Sequence, residues 1–195
     1  MKRDINKDEK RERLINASFD LFIKKGVNET TINAITKKAG VAKGTFYLYY
    51  KDKYELLNEL ILIKSTEILK KATDASVTLP KGKISERTIF IVDFLIEYFK
   101  QNPHILKLID KNLSWAMFVE AIEKNDNYSD IRELCKLVLG DFESEGYTQS
   151  DAEKIIFIIM EMLGSVCYSS IILEQPAPIN EMKIVLFDII RKIFN

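Results

Sequence analysis

Between Thr31 and Lys53 the chain reads TINAITKKAGVAKGTFYLYYKDK, and few folds accommodate that string. Ile32 and Ile35 stand three apart on one face of a short helix, with Ala34 and Ala39 as small neighbours. Thr31 is placed to cap that helix, because its hydroxyl can accept an orphan backbone N–H. Gly40 supplies the permissive backbone needed where one helix stops and the next starts almost at once, and Val41 can plug the corner. The second helix, about Lys43 to Tyr49, turns Phe46 and Tyr50 inward and leaves Lys43, Thr45, Tyr47 and Tyr49 on an outward face. Asp52 lies three residues before Glu55 and predicts a capping box for a third, longer helix. Lys51 and Lys53 flank its start, and with the backbone N–H groups there they form a candidate phosphate clamp.

By periodicity alone, two short helices around a glycine fit a plain helical hairpin as well as a helix-turn-helix, in which one helix braces and the second faces the DNA major groove. The outward face carries hydroxyls, aromatics and lysines, which favours the second reading. From about Arg11 to Leu57, the run LINASFDLFIKKGVNETTINAITKKAGVAKGTFYLYYKDKYELL resembles the DNA-binding domain of the TetR family of bacterial transcriptional repressors. The likeness covers about a quarter of the chain, while the rest is similar only in length and helical style. Tyr50 departs from it, standing where phenylalanine is usual, so its hydroxyl needs a rim position or a partner.

The expected fold is all-α: a three-helix helix-turn-helix domain (residues 1–53, with the start of a connecting helix) joined to a larger helical ligand-binding and dimerisation domain (residues 54–195). Formal net charge is zero, yet residues 1–64 hold 14 Lys/Arg against 9 Asp/Glu, and residues 65–195 hold 15 against 20. A basic head on an acidic body suits a DNA-reading end attached to something with another task. Cys135 and Cys167 show no paired spacing, and MKRDINKDEKRER lacks the apolar core of a signal peptide. Both point to a cytoplasmic protein with reduced thiols. His104 is the single histidine, and there is no glycine-rich nucleotide loop. The chain therefore reads as a non-enzyme with no cofactor and no histidine-rich metal site, a site built of carboxylates alone remaining open.

Taken in order, residues 1–9 read as a frayed polar tail. A helix follows from about Glu9 to Lys25 with Leu14, Ala17, Ser18, Leu21 and Phe22 as its core stripe. The helix after Lys53 reaches about Lys71, then residues 74–84 form a loop around Pro80 and Gly82. Further helices span Ser85 to Gln101, the stretch opened by an Asn102 cap and Pro103, the segment marked by Trp115, Phe118 and Ile122, and a run set by Ile131, Leu134, Cys135, Val138 and Phe142. The NDN run at 125–127 interrupts them, and Gly146 ends the last. Ser150 and Glu153 predict a capping box for a helix reaching Leu173, in which Glu161 is the only charge from Ile155 onward. Its length would permit a membrane span, but Glu161, the serines and balanced flanks suit a covered helix of a soluble protein, with a second subunit as part of the cover. The final helix runs from Pro178 to Phe194, and two apolar C-terminal helices from each subunit would make a four-helix homodimer interface.

A homodimer would present two recognition helices to a palindromic operator in double-stranded DNA. The expected contact set is Lys43, Gly44, Thr45, Tyr47 and Tyr49, with Thr31 and Lys53 as phosphate anchors, Lys53 also on the strength of the resemblance. The resemblance further implies repression, and a body that binds a small-molecule effector whose arrival weakens DNA affinity, a reciprocal coupling. Candidates for a mostly apolar cavity are Phe94, Tyr98, Trp115, Phe118, Met160, Glu161, Cys167 and Tyr168, each of which also fits an ordinary core or interface position. Glu161 needs a partner in so apolar a helix: a cationic ligand, a buried polar group or a contact across the dimer. The other reading is a helical protein-interaction module that carries the same DNA-binding head without an effector. In either case the helix after Lys53 can belong to both parts and carry movement between them.

Overall fold

The computed structural model describes residues 2–77, 83–110 and 129–194, and every regular element among them is a helix. The chain divides into two compact units, Met1–Ile63 and Lys64–Asn195. The first holds α1 (Lys2–Lys25), α2 (Ile32–Ala39), α3 (Lys43–Tyr47) and the first half of α4 (Lys53–Val77). Residue 53 marks the start of α4, and the compact unit continues into it because Leu56, Leu57, Leu60 and Ile61 are all buried. Helix α1 begins well before Glu9. Its first turns are rich in Lys, Arg and Glu, which carry good helix propensity, and this outweighs the fraying expected of a polar end.

Leu14, Ala17, Ser18 and Phe22 form the buried face of α1, with Leu21 half-buried beside them. They pack with Ile35 and Ala39 of α2 and Phe46 of α3 in one small core. Thr31 caps α2, its Oγ1 accepting from Ala34 N–H at 3.2 Å. At the other end Gly40 adopts φ 65°, and the N–H groups of Gly40 and Val41 donate to the carbonyls of Lys37 and Thr36 at 3.3 and 3.0 Å. Arg13 reaches across from α1 and donates from Nη2 to the Gly40 carbonyl at 3.0 Å.

Helix α3 stops at Tyr47, short of the expected Tyr49. The N–H groups of Leu48 and Tyr49 tighten to three-residue bonds with Thr45 and Phe46, at 3.2 and 3.0 Å. Tyr50 does not sit at a rim. It is buried at 3% exposure, its ring 5.6 Å from that of Phe46. Its hydroxyl lies beside Glu59 without a well-formed hydrogen bond, and Glu59 pairs with Arg11 at 2.5 Å. Burial first, and then the Glu59 charge, pushes the phenol well above its ordinary pKa, so it stays neutral in the core.

The second unit comprises the rest of α4 with α5 (Ile84–Gln101), α6 (Pro103–Asp110), α7 (Ser129–Ser144), α8 (Gln149–Cys167) and α9 (Ile179–Ile193). Helix α4 runs past Lys71 to Val77 and takes up the first part of the expected loop. Trp115, Phe118, Ile122 and the NDN run lie outside the described residues. Asn102 does not cap α6 through its side chain; Nδ2 turns back to the Tyr98 carbonyl at 2.9 Å and closes α5. Nor does Ser150 cap α8. Thr148 does so, accepting from Asp151 N–H at 3.2 Å, and Ser150 falls inside the first turn. Beyond Cys167 the helix loosens into a π turn, Tyr168–Ile172.

Phe142 anchors α7 in a cluster with Ile84 and Ala152, its ring 5.7 Å from Tyr147 and 5.6 Å from Phe194. Charge ties the outer helices. Arg87 of α5 pairs with Asp141 of α7, and Lys183 of α9 bridges Asp93 and Glu97 of α5 at 2.6 and 3.0 Å. The hydrogen bonds that Lys183 donates to Asp93 and Glu97 raise its pKa, and those that Glu97 accepts from Lys100 and Lys183 lower its own.

The turn at Gly40 gives a direct test. A Cβ there would meet Arg13 Nη2 at 2.5 Å, and a left-handed conformation costs an L-residue roughly 1–2 kcal/mol. Gly40→Ala is expected to lower the unfolding free energy of the first unit by about that amount in urea titrations, whereas Gly140→Ala, in open space within α7, should be neutral or mildly stabilising.

Candidate functional site

Helix α3 presents an open outer face. Lys43, Gly44, Tyr47 and Leu48 are open to solvent, while Thr45 and Tyr49 are half-buried. Phe46 fixes the rotation of the helix from beneath, fully buried and 5.5 Å edge-on from the Tyr47 ring. Tyr47 is thereby held upright at 52% exposure. An added Cβ at Gly44 would meet nothing within 4 Å, so internal packing does not call for glycine there. Leu48, at 78% exposure, was not among the expected contacts. An apolar residue reads as core by type, and only its place between two outward tyrosines signals otherwise.

The flanking residues are held by the fold itself. Asp52 Oδ1 accepts from the N–H groups of Tyr54 and Glu55 at 2.8 and 2.9 Å, and Glu55 Oε2 accepts from Lys51 N–H at 2.6 Å. Asp52 thus caps α4 as expected, but Glu55 reaches back to Lys51 rather than to Asp52, and these bonds occupy N–H groups that a phosphate clamp would have used. Lys53 is committed as well: its ammonium donates to the carbonyls of Val27, Asn28 and Thr30 at 2.8, 2.9 and 3.0 Å. Its three protons hold the α1–α2 connection, so toward DNA it offers charge. Thr31 uses its oxygen as an acceptor for the cap and keeps its hydroxyl proton.

The second unit contains a cavity of about 410 Å³ between α4, α5, α6, α7, α8 and the π turn. Met160, Glu161 and Tyr168 are on its wall. Phe94, Tyr98 and Cys167 are not, and Trp115 and Phe118 lie outside the described residues. Leu95 and Phe99 take the α5 positions instead, one residue further round the helix. Because α5 is apolar on more than one side, periodicity could not choose between the two pairs. Cys135 also lines the cavity, and burial pushes its thiol pKa up, which keeps it a neutral, slow nucleophile. Glu161 is exposed at the cavity's edge. No group of three or more acidic, histidine or cysteine side chains among the described residues could hold a metal ion.

A braced helix, a left-handed glycine turn and a short, upright second helix define a helix-turn-helix DNA-binding protein. The family model for bacterial regulatory proteins of the tetR family matches residues 14–60. Residues 14–60 are therefore similar to the DNA-binding domain of TetR-family bacterial transcriptional regulators. The chain is 50% identical over 50 residues to the HTH-type transcriptional regulator YerO of Bacillus subtilis, a match covering 26% of this chain and 17% of that protein. It is 23% identical over 156 residues to YhgD of the same organism, covering 79% and 80%. Its fold is similar to that of the transcriptional regulator FadR from Bacillus subtilis in complex with stearoyl-CoA, with a TM-score of 0.60, 17% identity, and 92% and 96% coverage.

The bonds of Lys53 can be measured directly. Hydrogen bonds to a charged group contribute roughly 1.5–3 kcal/mol, discounted here for partial exposure. Lys53→Met should lower stability by about 2 kcal/mol in urea unfolding. Lys51→Met, on an exposed side chain, should stay within about 0.5 kcal/mol of wild type.

Proposed function

We propose that the protein is a cytoplasmic homodimeric transcriptional repressor that binds a palindromic operator and leaves it when a small molecule enters the second unit. The observation that carries this reading is the outward face of α3, where Lys43, Tyr47 and Leu48 stand exposed on a helix fixed by Phe46. On this reading Lys43, Thr45, Tyr47 and Tyr49 contact DNA, Gly44 lets the sugar-phosphate backbone come close, and Leu48 adds an apolar contact suited to a thymine methyl. Thr31 and Lys53 act from the rim on phosphates. The DNA-reading part comprises residues 1–53 with the start of α4, and residues 54–195 carry effector binding and dimerisation.

Exposed apolar surface supports the dimer. The stretch Gln149–Ile172 has a mean hydropathy of 2.0 over its most apolar window, long and apolar enough to cross a membrane, yet only 22% of that window is buried within the chain. Phe157 and Ile158 on α8 and Ile184, Val185 and Ile189 on α9 are 40–64% exposed. Two such faces joined about a two-fold axis would cover one another. Helix α4 supports the coupling: the same helix places Leu56 and Leu60 in the first unit's core and Ser65, Ile68 and Leu69 on the cavity wall. The cavity falls in the range of roughly 300–1,000 Å³ usual for small-molecule sites, and the similar FadR structure holds stearoyl-CoA.

Selection from a random duplex pool at fixed, near-physiological salt should recover a palindrome with half-sites about one helical turn or more apart. Tyr47→Ala should then reduce affinity for it by about tenfold or more with the unfolding midpoint unchanged. Unchanged affinity would remove Tyr47 from the reading face, and failure to enrich any sequence from folded dimer would favour the interaction-module reading. For the dimer, the double substitution Ile184→Asp, Val185→Asp should shift the sedimentation coefficient from dimer to monomer with helical circular dichroism retained. A variant that still sediments as a dimer would place the interface elsewhere.

A further inference from the structure

We propose that the cavity in the second unit takes a lipophilic cation, its apolar body among the leucines and isoleucines of the wall and its positive end against Glu161. The inference rests on the effector reading above and adds the charge class of the ligand. Among the described wall residues Glu161 is the only one that carries a charge, and none is Lys, Arg or His. Against these described residues a carboxylate or phosphate would lose hydration without gaining a cationic partner from them, and would meet a like charge at Glu161. A monovalent cation meets the opposite situation.

The polar groups of the wall are arranged accordingly. Glu161, Ser165 and Ser169 line the cavity at four-residue steps along α8 and the π turn, which places them along one side of that helix. Tyr168 joins the same wall and offers an aromatic face of the kind that attracts ammonium groups. From α4, Ser65 also lines the cavity, and its buried Oγ has no hydrogen-bond partner. A buried hydroxyl left in that state is costly, and a polar group on an incoming ligand would satisfy it. The stearoyl-CoA held by the similar FadR structure is an anion. The wall described here suits a ligand of opposite sign, although the two folds correspond.

Three ten-carbon probes of different charge test this on the full-length protein: decyltrimethylammonium, 1-decanol and decanoate, each below its micelle-forming concentration, by isothermal titration calorimetry at neutral pH. Decyltrimethylammonium should bind about tenfold more tightly than decanoate. Glu161→Gln should weaken the ammonium about fivefold, the upper range for an ion pair at an exposed edge, while leaving decanol unchanged. Because Glu161 is exposed, the variant should fold as wild type does, which thermal unfolding checks. Decanoate binding as tightly as the ammonium, or an unchanged ammonium affinity in Glu161→Gln, would overturn the charge assignment. If decanol binds and charge makes no difference, the effector reading survives and this inference fails. If none of the three binds, both fail.

Discussion

A helix of five residues cannot hold itself together in water, since nucleation costs more than so few hydrogen bonds return. Helix α3 exists because Phe46 is driven fully into the core of the first unit and because the chain enters it from a fixed turn. Gly40 sets that turn in the left-handed region, and Arg13 reaches over from α1 to hold its carbonyl. Lys53 does the same for the opposite connection, gathering three carbonyls between α1 and α2. The orientation of Tyr47 and Leu48 is therefore a consequence of buried apolar surface and of two cations, Arg13 and Lys53, bonded to backbone carbonyls of the domain. A DNA-binding face here is the outer surface of a packing solution.

Helix α4 spans both units. Its first half contributes buried leucines and isoleucines to the core around α1–α3, and its second half gives Ile68 and Leu69 to the cavity wall. The second unit adds ion pairs between its outer helices to the buried apolar side chains of α5, α8 and α9. Lys183 links α9 to α5 through two carboxylates, and Arg87 links α5 to α7.

Much of this was legible in the sequence where the local signal was strong. The Thr31 cap, the Gly40 turn, buried Phe46 and the Asp52 cap could be read because each depends on a few neighbouring residues whose chemistry allows little else. Tyr50 was read as turned inward, which its burial bears out, but its neighbours Arg11 and Glu59 are distant in sequence and local pattern could not foresee them. Lys53 was read by its charge alone, whereas its three carbonyl partners belong to a loop more than twenty residues away. Along α5 and α8 the apolar residues continue round most of the helix, so hydrophobic periodicity loses its phase. Leu95 and Phe99 could not be told from Phe94 and Tyr98 for that reason. Ser150 and Thr148 compete for the same helix start two residues apart, and the threonine prevails with Asp151 as its partner.

The π turn at Tyr168–Ile172 gives this wall a property that a regular helix lacks. A π turn accommodates one residue more than an α turn between bonded groups, and within it Ser169 meets the cavity while Ser170 is buried away. Loss of a single residue there could be absorbed by a return to α pitch, without breaking Gln149–Cys167 before it or α9 after it. The lining of the cavity is thus editable by one-residue length changes, which alter which side chain is presented and leave the frame of the second unit in place.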